Sequence, residues 1–521
     1  MTDFIFNIPP GDIVYDIETY PNVFTFRATH AITGDKWLFE ISFRRWDLDL
    51  FCKFINSCML NNNRWVGFNN LHFDYPVVHY IYHNRNSVTV ASIYDKAMSI
   101  IRSFNKFAHM IWDNDHLVTQ IDLFKIHHFD NKAKSCSLKV LEFNMKMENV
   151  EDLPFNVGTN LTSEQIDTLL KYNDHDVNAT LLFYHRTKDQ IKLREELSNA
   201  FNTNFMNMSD VKMGETILVK KMEEKGIQCY EYIDGRRQKR QTKRDFINLK
   251  DVMFSYISFE HPEFKRIHNW LASQTITETK GVFKGLIAVV DGLSYVFGTG
   301  GLHASLNDTT IHSTTTHQLV DVDVASFYPR MAIANGLYPA HLGPAFCNGY
   351  DDVYTDRRSY KKGTARNEAY KLALNGAYGG SNNEFSPFYD PFYTMAITIS
   401  GQLSLCMFVE QLIKIPTLKM IQANTDGVTF LCPKEHLDHM RNVCKWWEQI
   451  TRLELEEALY KSMFIRDVNS YIAVKDDGKI KRIGCYAHET AEENPGTREL
   501  PHHKDWSARI VALAAEAYLV H

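Results

Sequence analysis

Two widely separated segments, Val14-Tyr15-Asp16-Ile17-Glu18-Thr19 and Asp321-Val322-Asp323-Val324, carry carboxylates at alternate positions of strand-like runs. Side chains alternate across a strand, so each pair of acids points to one face, where it can share divalent metal ions. A chain of 521 residues does not close round one core, because single cores stop growing near ~250–300 residues. Two or three domains are therefore expected.

Composition bounds the class. With 44% hydrophobic and 23% charged residues the chain reads as an ordinary globular protein, neither disordered nor fibrous. Its formal net charge of −6 means that a nucleic-acid surface must be built by local concentration of Lys and Arg. Nine Cys without a CxxC pair argue against a zinc ribbon, an iron–sulfur site and a disulfide framework, and fit a reducing cytoplasm. The start, Met1 to Pro10, has no basic segment followed by a long apolar one, and no run reaches the ~18 apolar residues of a membrane span. The most apolar stretch, Met395 to Phe408, reads as a buried helix, and no membrane partner is expected.

From Asp12 to about Tyr184, β-rich runs alternate with helical patterns, the pattern of a mixed α/β domain. Thr187 to Lys225 reads as helical and leads into the basic run Arg236 to Arg244, a connector that is either a solvated loop or a contact to duplex phosphates. Gly298-Thr299-Gly300-Gly301 is a turn between apolar runs.

The first acidic pair is followed by Asn69-Asn70-Leu71-His72-Phe73-Asp74 and by Tyr172-Asn173-Asp174-His175-Asp176, in which Tyr172 and Asp176 share a helix face at i,i+4. Four acids in this order suit two-metal hydrolysis of a phosphodiester. The three motifs resemble D-x-E, N-x3-F-D and Y-x3-D of the DEDDy proofreading exonucleases of family B DNA polymerases. The resemblance implies an RNase H-like fold, with Asp16, Glu18, Asp74 and Asp176 as metal ligands and Tyr172 placing the water. Asp122 and Asp174 fall outside the motif registers and read as structural or surface acids.

The second half continues the resemblance. Asp323-Val324-Ala325-Ser326-Phe327-Tyr328-Pro329 is similar to D-x-x-S-L-Y-P with Phe for Leu, which selects Asp323 as a metal ligand and passes over Asp321. Tyr328 then resembles the residue whose ring excludes a 2′-OH from the nucleotide site. Lys371, Asn375 and Tyr378 form one helical stripe, extended by Asn367. With Gly376 and Gly379 they resemble K-x3-N-S-x-Y-G, whose Lys binds the triphosphate. Asn375 is expected at the nucleotide, and Tyr378 and Gly379 at DNA. Upstream, Arg357/Lys361 and Arg358/Lys362 lie at i,i+4 with Gly363 as a helix stop; either pair could reach the triphosphate, and Arg358 and Lys362 are the expected one. Asn424-Thr425-Asp426-Gly427 reads as a hairpin and resembles D-T-D-S, making Asp426 the partner of Asp323. Lys479-Ile480-Lys481-Arg482 resembles the K-x-Y-like site, with Lys481 near a primer terminus and Arg482 on backbone phosphates. Arg236 and Arg237 are further expected DNA contacts.

The implied architecture is multidomain, α/β and α+β. It comprises an RNase H-like exonuclease (1–186), a connector and start of palm (187–310), palm (311–330), short helical fingers (331–380), palm (381–490) and the start of a thumb (491–521). The implied activity is DNA-directed DNA polymerisation with 3′→5′ proofreading. It would use two Mg²⁺ per active site, with Mn²⁺ as a substitute, and primer–template DNA and deoxynucleoside triphosphates as partners. Rival readings are an exonuclease with a relic palm and an inactive DNA-binding scaffold. Intervals of 371 − 323 = 48 and 426 − 371 = 55 residues leave little room for insertions of protein-primed relatives, so an ordinary 3′ end is expected as primer. Only 521 − 481 = 40 residues follow Lys481, so most of the thumb is expected from a second polypeptide or a longer parent. Residues 505–521 read as a helix N-capped near Asp505. A processivity factor, a bacteriophage source and the cytoplasm of an infected bacterial cell complete the expectations.

Overall fold

The computed structural model describes residues 6–105, 107–488, 502–504 and 508–520. The chain forms two compact units, one of residues 1–210 with 501–505 and one of residues 211–500 with 506–521. It is a mixed α/β multidomain protein.

The first unit is built on strands β1 (Asp12–Tyr20), β2 (Val23–His30), β3 (Lys36–Ser42), β4 (Arg64–Gly67) and β5 (Thr119–Asp122) in the order β3-β2-β1-β4-β5. The first three pair antiparallel, while β4 runs parallel to β1 and β5 parallel to β4. Its helices are α1 (Leu48–Leu60), α2 (Asp74–His83), α3 (Val90–Ile101), α4 (Leu123–Ile126), α5 (Leu138–Asn144) and α6 (Ser163–Phe201). One face of the sheet is closed by an aromatic core in which Tyr15, Phe26, Phe51, Phe54 and Trp65 are each almost fully buried. The opposite face meets α6, whose start is fixed by a capping box between Thr162 and Gln165.

The expected boundary at residue 186 falls inside α6. The last turns of that helix still bury Ile191, Arg194 and Leu197, and the Arg194 guanidinium reaches the carbonyls of Ile126 and Met208 at 3.1 and 3.0 Å, so the unit runs on to Asp210.

The second unit begins with α7 (Asp210–Glu224) and the hairpin β6 (Tyr230–Ile233) and β7 (Arg236–Lys239). The basic run expected as a connector is thus half strand: Asp234 and Gly235 turn at φ +50° and +74°, the left-handed pair that a two-residue hairpin favours. There follow β8 (Ile247–Asn248), α8 (Pro262–Ala272), β9 (Thr275–Ile276), β10 (Ile287–Val290), β11 (Leu293–Phe297), β12 (Leu302–Ser305), β13 (Thr309–His312) and β14 (His317–Val324). Helices α9 (Phe327–Ala334), α10 (Ala345–Ser359), α11 (Ala365–Ser381) and α12 (Pro391–Leu412) precede β15 (Lys419–Asn424) and β16 (Gly427–Pro433). Helix α13 (Leu437–Thr451), strands β17 (Leu455–Asp467), β18 (Ser470–Lys475) and β19 (Ile480–Ile483), and α14 (Arg509–Val520) complete the unit.

Its main sheet is antiparallel, in the order β10-β11-β12-β15-β16-β14-β17-β18-β19, with β13 also on β17. Strand β14 therefore lies inside the sheet. Helix α12 is the one described helix long and apolar enough to cross a membrane, yet 94% of its most apolar window is buried, as expected for a core helix. Of the C-terminal helix, Arg509–Val520 is described; the N-cap expected near Asp505 lies outside the described residues.

Helices α7 and α11 cross where both carry glycine. A Cβ at Gly214 would stand 2.3 Å from the Leu372 carbonyl oxygen, and one at Gly376 would stand 3.1 Å from the Glu215 nitrogen. The contact is backbone on backbone, which explains glycine at 376 where the resembled motif has Ser. Gly214→Ala is expected to cost about 1–3 kcal/mol, the range for overpacking a fitted interior. Urea unfolding followed by circular dichroism measures it, and wild-type stability in this variant would contradict the close crossing.

Candidate active sites

In the first unit, Asp16 and Glu18 stand half-buried on one face of β1, on either side of the buried Ile17. Asp176 arrives from α6, and Asp16, Glu18 and Asp176 each offer an oxygen within 4.8 Å of the others. Asp74 is the first residue of α2, where helix N-termini favour negative charge, and its carboxylate accepts a hydrogen bond from the Ile17 amide at 3.3 Å. Tyr172 lies one helical turn before Asp176 on α6, close enough for the two side chains to shift each other's proton affinity. The five expected residues are thus brought together.

The neighbours hold them in place. Asp122 is fully buried and accepts from the amides of Asn69 (2.9 Å), Leu71 (3.3 Å) and Phe124 (3.0 Å), so it pins the loop that delivers Asp74. Asp174 faces Arg27 at 2.7 Å and Lys36 at 3.2 Å, away from this role. Sequence reasoning missed Asn173, which accepts from Thr25 and donates to Asp16 Oδ2 at 2.7 Å. Its i,i+3 spacing to Asp176 was the available signal. It also missed Glu142, which binds His175 at 3.1 Å beside Asp176.

Burial, and after it mutual repulsion, pushes Asp16 and Glu18 well above the ordinary carboxylate range. Burial likewise pushes Asp74 and Asp176 up to about 7, against the amide and hydroxyl donors that favour their charged forms. Clustered oxygen donors with this excess of negative charge fit hard divalent cations such as Mg²⁺ or Mn²⁺.

In the second unit, β14 places Asp323 opposite Gly427 on β16 and opposite Glu456 on β17. A Cβ at 427 would lie 1.9 Å from Asp323 Oδ1, so the carboxylate lies over the glycine and would have to shift to admit a side chain there. Asp426 is the residue before it, at the turn where Thr425 takes φ +55°, and its carbonyl accepts from the Val324 amide at 2.7 Å. Burial chiefly, then Asp321, pushes Asp323 up to about 6, opposed by Lys481; burial also raises Asp426. Asp323 and Asp426 thus stand at the same end of the β14–β16 pair, with Glu456 across from Asp323.

The chain turns out of β14 through Ser326, at φ +50° and ψ +49°, into α9. Phe327 packs into space left by Gly401 of α12, whose Cβ would stand 3.2 Å from the ring, which accommodates Phe where the motif has Leu. Tyr328 stacks on Phe327 at 5.4 Å and meets the Tyr378 ring of α11 at 4.5 Å, with its hydroxyl donating to the Gly300 carbonyl. Lys371, Asn375 and Gly379 are exposed along the same helix, and Lys371 pairs with Glu368 at 3.2 Å. Asn367 leaves the stripe: it is buried and donates to the carbonyls of Arg357 and Tyr360.

Two expectations are corrected here. Helix α10 ends at Ser359 and Gly363 turns at φ +85°, so Lys362 is past the helix and shares no face with Arg358. The reversal needed to start α11 at its Thr364 N-cap ends α10 before the expected stop. Arg358 instead lines a cleft of about 430 Å³ with Arg330, Asp351, Tyr354, Thr355 and Glu454. Arg482 does not face solvent for phosphate: its side chain is 13% exposed and its guanidinium is held by both oxygens of Glu516 from α14, Nη2 at 2.6 Å from Oε1. Lys481, by contrast, is brought to the acidic end of β14, 3.6 Å from Asp321. Arg236 and Arg237 are exposed on β7, Arg237 stacked 3.7 Å over the Tyr230 ring.

No protein-family model matches the chain, and no curated protein does. Among solved structures, the family B DNA polymerase from the hyperthermophilic archaeon Pyrobaculum calidifontis is similar at a TM-score of 0.44 and 15% identity, over 98% of this chain and 65% of that one. The chain thus spans less than two thirds of that structure's length.

The raised carboxylates of the first unit have a sign that can be tested. Their folded values lie above the unfolded range near ~4, so their contribution to stability is complete below about pH 4 and is lost as pH rises through about 7. A divalent cation held by the ionised cluster would reverse that loss. Mg²⁺ at a hundredfold over its Kd at pH 8 is expected to stabilise by about 2.7 kcal/mol there, and the same concentration by less at pH 5.5. Asp16→Asn with Asp176→Asn is expected to be more stable than wild type without metal at pH 8 and to show a smaller Mg²⁺ shift, the rest coming from the second unit's acids. Thermal melts with and without EDTA decide, and equal Mg²⁺ shifts in the two proteins would reject the site.

Proposed function

We propose that this chain is a DNA-directed DNA polymerase of the family B type that also carries a 3′→5′ proofreading exonuclease. The observation that carries the reading is convergence. Segments 323–328, 371–379 and 424–427, which resemble three motifs of that family in its order, meet through the Asp323–Gly427 pairing and the Tyr328–Tyr378 ring contact.

In this reading the residues divide the work. Asp323 and Asp426 hold a pair of Mg²⁺ or Mn²⁺ ions, which when bound activate the primer 3′-OH and neutralise the triphosphate. Lys371 and Arg358 bind phosphate oxygens, and Asn375 contacts the nucleotide. Tyr328, wedged between Phe327 and Tyr378, blocks a 2′-OH by position. Tyr378 and Gly379 border the template, Lys481 meets the primer end, and the β6–β7 hairpin with Arg236 and Arg237 contacts duplex phosphates.

The first unit supplies the exonuclease. Its mixed sheet, with three antiparallel strands continued by two parallel ones, supports an RNase H-like fold. Asp16, Glu18, Asp74 and Asp176 hold the cations, and Tyr172, one helical turn before Asp176, orients the water. Primer–template DNA and deoxynucleoside triphosphates are the substrates, in replication of viral DNA.

Separation of function tests this directly. Asp323→Ala or Asp426→Ala is expected to lower Mg²⁺-dependent primer extension by at least about a hundredfold while degradation of single-stranded DNA stays near wild type. Asp16→Ala with Glu18→Ala is expected to do the reverse on a mismatched primer end. Folded variants that lose both activities together would refute the two-site reading, and a wild-type chain inert in extension would refute the polymerase.

A further inference from the structure

Asp321 lies two residues before Asp323 on the same face of β14, yet it is only 6% exposed and its oxygens are already engaged. Thr429 of β16 donates to Oδ1 at 2.6 Å, and Tyr460 of β17 donates to Oδ2 at 2.5 Å. The remaining approach to Oδ2 is taken by the Lys481 ammonium from β19, at 3.6 Å. Four strands of the sheet thus converge on one carboxylate. With both oxygens oriented by hydroxyls, Asp321 is a poor metal ligand and a good fixed counter-charge.

Lys481 needs such a fixed partner. Its ammonium is a compact charge on a flexible stem, 5.8 Å over the Tyr471 ring, and its side chain is one-third exposed. Held 3.6 Å from Asp321, it stands one strand repeat from Asp323, which shares that face of β14. An unrestrained ammonium there would pair with those carboxylates and compete with divalent cations. Asn424 offers no alternative charge, since its amide donates to the Val468 carbonyl at 3.3 Å.

We propose that Asp321 is a positioning residue that anchors the Lys481 ammonium at the primer end of the site and keeps it off Asp323 and Asp426. The proposal rests on the polymerase reading for the primer, and on geometry alone for the coupling between Asp321, Lys481 and cation binding.

The test is a double-mutant cycle between Asp321→Asn and Lys481→Met, made in an Asp16→Ala, Glu18→Ala background so that only the second unit's acids are read. Mn²⁺ binding is measured by calorimetry, and the half-saturating Mg²⁺ for primer extension is measured at saturating primer. Asp321→Asn is expected to weaken Mn²⁺ binding and raise the Mg²⁺ requirement about tenfold, within the range of coupled neighbours. Adding Lys481→Met should bring both back toward the parent, because the competing ammonium is gone; a merely structural role for Asp321 predicts no such rescue. Unchanged Mn²⁺ affinity in Asp321→Asn, or absence of rescue, would overturn the proposal. If Asp321→Asn does not fold, Lys481→Met alone decides: Mn²⁺ affinity should stay within about threefold, and clear tightening would show that Asp321 does not hold the lysine away. Failure of the parent to extend primers would instead sink the polymerase reading, while the Mn²⁺ arm still decides the coupling.

Discussion

Carboxylates crowded together in partly buried positions repel one another and lose solvation, and both sites depend on surroundings that impose this arrangement. In the first unit the imposition comes from β1, which presents Asp16 and Glu18 with Ile17 buried between them, and from α6, which a capping box starts at a fixed point. In the second it comes from β14, flanked on both sides by long antiparallel partners. Rigid elements hold the acids against their mutual repulsion, and that electrostatic strain is what a divalent cation relieves.

Much of this was legible in the sequence because strands and helices have fixed periods. Alternation placed Asp16 with Glu18, and i,i+4 spacing placed Tyr172 with Asp176. The buried helix around Met395 to Phe408 was visible from apolar length alone. What stayed hidden depends on long-range packing. No local pattern says that Arg482 will be taken by Glu516, 34 residues on, or that α6 will run past residue 186 because Arg194 finds carbonyls in another segment. The Asp234-Gly235 hairpin had a local signal in its turn dipeptide, which the surrounding basic charge masked.

Three departures from the resembled motifs have a common physical cause. Gly427 stands under the Asp323 carboxylate, Gly376 stands at a helix crossing, and Phe327 fills the room that Gly401 leaves. In each a glycine is matched to a large or close neighbour elsewhere, as a close-packed interior requires. These positions therefore belong to pairs. A Ser at 427 would require the Asp323 carboxylate to move from its present place over the glycine.

Charge follows the same logic of pairs. Asp321 and Lys481 neutralise each other across the sheet, and Glu516 does the same for Arg482, with His488 at 2.8 Å as a further partner. Neighbouring residues of β19 thus send their cations to different acids, one toward β14 and one toward α14. A buried cation left without its acid would be costly, so each acid fixes where its cation points. The register of one short strand, Ile480–Ile483, decides which cation reaches the acidic end of the sheet. A one-residue slip would exchange the two, because period two sends successive side chains to opposite faces. The pairing of β19 with β18 is therefore a determinant of the site's electrostatics, although β19 itself contributes none of its carboxylates.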